Sequence, residues 1–120
     1  MKRLIAALVL AAMPAMAQDV EQATSSSGGT VRWLDKVTGA TTDLELSRGQ
    51  ALTRGFLTIQ LDDCRYPSAD PSSDAFAHLT IRDTRVEMPV FSGWMVASSP
   101  ALSALDHPRY DVWVLNCAAG

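Results

Sequence analysis

Ser98, Ser99, Asp106 and His107 crowd into one stretch near the C-terminal end and are the residue types of a serine hydrolase. A serine nucleophile needs a histidine to take its proton and a carboxylate to orient that histidine. Asp106 and His107 are sequence neighbours, however, a spacing that seldom lets a carboxylate orient the adjacent imidazole, and no G-x-S-x-G elbow is present. Ser99 precedes Pro100, the pairing of an N-cap with a first-turn proline, and capping is the role expected of it. Asp62 and Asp63 could be the paired carboxylates of a glycosidase, but consecutive residues on a strand point to opposite faces, so a solvated acidic strand end is expected instead. Cys64, His78, His107 and Cys117 could ligate zinc, yet their spacing fits no compact zinc motif, so neither a metal nor a cofactor is expected. The H-E-x-x-H, P-loop, G-x-G-x-x-G and C-x-x-C patterns are absent.

The two cysteines read first as one disulfide, Cys64–Cys117, which would tie the end of one strand-like run to the end of the last. Trp94, Tyr110 and Trp113 could line a sugar or peptide groove, but Trp94 and Trp113 lie inside apolar runs and core packing is expected of both. Arg65, Tyr66, His107 and Arg109 could form a polar rim beside the disulfide, where loops 65–74 and 98–109 would meet. Of these, Tyr66 and His107 are expected in loops and are the favoured binding residues. A small enzyme using His107 as general acid or base, aided by Asp106 or Asp111, is the alternative to a binding or structural module.

The elements that must position these residues are short and β in type. Leu57, Ile59 and Leu61 alternate with Thr58 and Gln60, the period of a half-buried strand, and Tyr110, Val112 and Val114 alternate with Asp111, Trp113 and Leu115. Turn signals at Thr38-Gly39 and Arg48-Gly49 separate the earlier runs. The segment 65–74, with two prolines and three serines, reads as a surface loop. A small antiparallel sandwich or barrel of about six or seven short strands is expected, with one helical turn near residues 100–105.

At the N-terminal end, Lys2 and Arg3 precede the apolar run 4–13, Pro14 and Ala15-Met16-Ala17, the order of a secretory signal with a small-residue cleavage site. The run has about half the ~20 apolar residues that span a bilayer, so a membrane-spanning segment is not expected. Residues 1–17 are therefore expected to be cleaved near Ala17, placing the protein in the periplasm or outside the cell. Residues 18–30 would be a flexible lead-in, and 31–120 a single β-rich domain. The formal charge is −3. Losing Lys2 and Arg3 takes it to −5, which argues against nucleic acid or anionic lipid as a partner. An envelope protein or a cell-wall component is the expected kind of partner.

The segments WLDKVTGATTDLEL (33–46), CRYP (64–67) and FSGWMVASSPALSALDHPRYDVWVLNC (91–117) resemble the alphaproteobacterial family catalogued as domain of unknown function 2155. The resemblance implies a small exported protein and carries no catalytic residue over to this sequence.

Overall fold

The structure is a computed structural model that describes residues 22–118; the expected leader, 1–17, lies outside the described residues. Eight strands follow in order: β1 (Ala23–Ser25), β2 (Gly28–Asp35), β3 (Thr41–Ser47), β4 (Ala51–Arg54), β5 (Leu57–Pro67), β6 (Phe76–Asp83), β7 (Phe91–Val96) and β8 (Tyr110–Cys117). Antiparallel pairing sorts them into two sheets. In the first, β5 carries β6 and then β7 on one flank, and on the other flank β4 along its first half and β1 along its last three residues. The second has the order β3-β2-β8.

Period-two alternation sets the core between the sheets. Leu57, Ile59, Leu61, Leu79 and Ile81 from the first sheet are fully buried. They meet Val31, Trp33, Tyr110, Val112 and Val114 from the second. In β5 the alternation breaks once: the register passes from Leu61 opposite Leu79 to Asp63 opposite His78, leaving Asp62 as an extra residue. Such a bulge shifts the phase of everything after it. Cys64, and not Asp63, therefore turns into the core, where it is bonded to Cys117 of β8 with the Cα atoms 5.7 Å apart. The disulfide thus links one sheet to the other.

Several expectations are corrected here. Residues 23–25 and 28–30 belong to strands, although 18–30 was expected to be flexible, because Gly28 and Gly29 serve close packing rather than mobility. A Cβ on Gly28 would lie 2.4 Å from the Leu46 carbonyl oxygen, and one on Gly29 would lie 2.8 Å from Cys64 Sγ. Arg65, Tyr66 and Pro67 extend β5 instead of opening a loop, since β1 supplies them with an edge partner and a proline is tolerated at a strand end. The helical turn is one 3-10 turn at Pro100–Leu102, and the Ser99 side chain makes no capping bond to it. So short a turn is closed by its backbone, the Leu102 N–H donating to the Ser99 carbonyl. No helix among the described residues is long and apolar enough to cross a membrane.

Because the bond closes a loop with a sequence separation of 53 residues, breaking it should free denatured-state entropy worth about 4 kcal/mol. The double variant Cys64→Ser/Cys117→Ser should lose about that much stability in urea unfolding. An unchanged midpoint would refute a stabilising role for the link.

Candidate binding face

The four residues nominated as a polar rim separate into two places. Arg65 opposes Phe76 near one end of β5, whereas Leu57 opposes Asp83 at its other end. At roughly 3.3 Å per residue those positions lie about 26 Å apart. His107 and Arg109 belong to the Asp83 end, and the disulfide belongs to the Arg65 end. The expected meeting of loops 65–74 and 98–109 happens only at Ser98, whose hydroxyl donates to Asp74 Oδ2 at 2.7 Å. From there the chain runs to the opposite end of the sandwich.

His107 is buried, with 4% of its surface exposed. Its Nδ1 accepts the backbone N–H groups of Arg109 at 3.0 Å and Tyr110 at 3.2 Å. Nε2 therefore carries the proton and donates to Asp83 Oδ2 at 2.9 Å. Both nitrogens are committed, so the structure gives His107 a structural task in place of the expected acid–base or surface role. Its partner is Asp83 from β6, not Asp106 or Asp111 as sequence proximity suggested. Arg85 adds two further bonds to the same carboxylate, and Arg109 pairs with the buried Asp35 at 3.1 Å. Phe56 sits between the two guanidiniums, 4.2 Å from Arg85 and 5.6 Å from Arg109. This end is a lock between the sheets.

Arg65 has different company. It lies on the outward face of the five-stranded sheet, where Asp63 on β5, His78 on β6 and Trp94 on β7 are cross-strand neighbours. Asp62, outward in phase with Thr58 and Gln60, accepts the His78 Nδ1–H at 2.8 Å and the Thr80 hydroxyl at 2.7 Å on one oxygen, and Gln60 Nε2 at 3.0 Å on the other. His78 Nε2 has no hydrogen-bond partner among the described residues. Trp94 meets the His78 ring edge-on at 5.2 Å, and the Arg65 guanidinium lies 5.6 Å from the indole while bonding Asp63 at 2.9 Å. Tyr66, the next residue of β5, is half-buried opposite Thr24.

Trp94 is 42% exposed, which corrects its expected place in the core. Trp113 is likewise on an outward face and half-buried, and Trp33 is the tryptophan that fills the core. An apolar run had been read as burial, but β7 is an edge strand whose even positions face out. The zinc reading also ends here: both cysteines are bonded to each other, and His78 points away from them. The signal for this face was the outward set Phe76, His78, Thr80 and Arg82 in β6; the bulge that sets Asp63 beside Asp62 on it left no mark in the sequence.

Residues 29–117 match the family described as Uncharacterized protein conserved in bacteria (DUF2155). A relative from Rickettsia prowazekii (strain Madrid E), named Uncharacterized protein RP359, is 30% identical over 95 residues, covering 76% of this chain and 61% of that protein. The chain thus spans less than two thirds of the length of this curated relative. No solved structure matches.

The Asp83 carboxyl is held well below the usual carboxylate range, first by the Arg85 guanidinium and then by the His107 N–H. A carboxyl lowered on folding adds stability that is present above its unfolded value, about pH 4, and is lost as pH falls towards the folded value. Thermal unfolding between about pH 6 and pH 2 should therefore show an acid decline that Asp83→Asn makes shallower, from a lower starting stability. Parallel curves for the two proteins would remove Asp83 from the acid response.

Proposed function

The chain belongs to this family of uncharacterised bacterial proteins, and on that premise we propose that it is an exported, non-catalytic binding module of the periplasm or cell envelope. Export is supported by the charged, apolar and small-residue order of residues 1–17. The Cys64–Cys117 bond supports it too, because structural disulfides persist in oxidising compartments. The contact surface is the outward face of the five-stranded sheet, and its partner is a macromolecule of the envelope.

The observation that carries this reading is the cross-strand row Asp63, His78 and Trp94. It places a 42% exposed indole beside an imidazole whose Nδ1 is already held by Asp62. Side chains fixed by such bonds lose little freedom on binding, and exposed tryptophan and arginine are the residues that most often dominate recognition. At the other end His107 itself is buried and both its nitrogens are engaged within the protein.

The full chain, expressed with its own N-terminus in a bacterial host, should be recovered from the periplasmic fraction in a form shortened near Ala17. A photo-crosslinking amino acid in place of Ser92, two residues from Trp94 on the same face of β7, should yield a high-mass envelope adduct, and one in place of Val37, at the far end, should not. An intact N-terminus in the cytoplasmic fraction would overturn export. Equal adducts from both positions, or none from position 92, would overturn the binding face.

A further inference from the structure

We infer that the outward face of the five-stranded sheet takes an uncharged glycan chain, a reading that rests on the binding face proposed above. Three features of the face point to that chemistry. The first is its pairing of aromatic side chains, Phe76 and the more exposed Trp94, with many small polar ones. A pyranose ring presents an apolar C–H face and a rim of hydroxyls, so it needs an aromatic plane and nearby donors and acceptors together. Trp94 supplies the plane. Gln60, His78, Thr80 and Ser92 supply the rim, and they are brought side by side by the registers of β5 with β6 and β6 with β7.

The second feature is where the free hydrogen-bonding capacity lies. Both Asp62 oxygens are occupied by Gln60, His78 and Thr80, so the carboxylate acts as the anchor of the row. With Nδ1 donating to Asp62, His78 offers Nε2 as an acceptor for a hydroxyl; Gln60 keeps its amide oxygen free for the same purpose. Asp62 and Asp63 offset Arg65 and Arg82 on this face, and Arg65 is already bonded to Asp63. A face without net formal charge gives a charged polymer no electrostatic advantage.

The third feature is shape. Grooves of 630, 420 and 350 Å³ open beside Gly29, Asp74 and Trp113 respectively, and none of the three includes Asp62, His78 or Trp94. A flat platform buries too little of a small molecule to hold it, whereas successive units of an extended chain can lie along it. The row from β5 to β7 spans two interstrand spacings, about 10 Å, which is comparable to a disaccharide.

The test uses the full chain purified after its own processing, with chitopentaose and cellopentaose as uncharged probes, polygalacturonate as a charged one, and isolated peptidoglycan sacculi. An uncharged oligosaccharide should change the tryptophan emission, and Trp94→Ala should weaken that binding about ten-fold or more. Trp94→Phe should retain part of the affinity, and Leu102→Ala, on the 3-10 turn, all of it. Circular dichroism and an intact disulfide check that each variant is folded. The glycan assignment is overturned by silence of all four probes, by binding of polygalacturonate alone, or by binding that Trp94→Ala leaves unchanged. If these probes fail while position 92 still crosslinks to a protein, the glycan is wrong and the binding face stands. If position 92 gives no adduct and the probes are silent, both fall.

Discussion

An antiparallel strand sends alternate side chains to alternate faces, so with regular pairing Asp63 would follow Leu57, Ile59 and Leu61 into the core. The extra residue at Asp62 prevents that. It also brings Cys64 inward to reach Cys117, and turns Asp63 outward beside Asp62, opposite His78 and bonded to Arg65. One local irregularity thereby supplies the link between the sheets and sets a second carboxylate, Asp63, beside Asp62 on the outward face. Removing the bulge would bury a carboxylate and expose a cysteine in a single step. The disulfide and the polar row are in that sense one structural decision.

A domain of this size buries a small core and needs closure from other sources. The sandwich is closed differently at its two ends. At the Cys64 end a covalent bond joins β5 to β8. At the Asp83 end the work is done by buried polar groups: Asp83 with His107 and Arg85, and Asp35 with Arg109. The Tyr110 hydroxyl accepts the Phe56 N–H across the same gap. Gly55, with φ +59, leaves room for that ring, since a Cβ would come within 2.6 Å of the hydroxyl. Carboxylates this deeply placed are tolerated because each meets a guanidinium and several N–H donors. Stability at this end is accordingly sensitive to acid, and at the other end to reductant.

Strand type was legible wherever one face is buried: the alternations in β5 and β8 fall where the periodicity placed them. The mostly β fold followed from them. β1 and β4 were not legible, because edge strands of three and four residues, exposed but for the half-buried Leu52, are too short to show an alternation. Gly28 and Gly29 read as a linker, since a glycine chosen for close approach looks in sequence like one chosen for flexibility. His107 does lie in a loop, as expected, but its burial was not legible, because the partner that holds it lies 24 positions away on another strand. The candidate face was only partly visible: Arg65 was named, whereas Asp62, His78 and Trp94 were assigned to a solvated end, a discounted zinc set and the core.

A lone exposed apolar side chain needs no explanation in a soluble domain, so exposure by itself does not distinguish Trp94. Its surroundings do. Val37, Val86, Met88 and Leu102 are also exposed, but they lie on connections between strands. Phe56 lies on a turn and is flanked by two guanidiniums that Asp83 and Asp35 hold in place. Trp94 alone in that group sits within a strand, next to an imidazole and a guanidinium that are each fixed by a neighbouring carboxylate. The sandwich already fills its core with Trp33 and Tyr110, whose rings stack at 5.3 Å, and gains nothing comparable from an outward indole. The expense of ordering His78 and Arg65 around that indole makes physical sense when something outside the protein uses the surface they form.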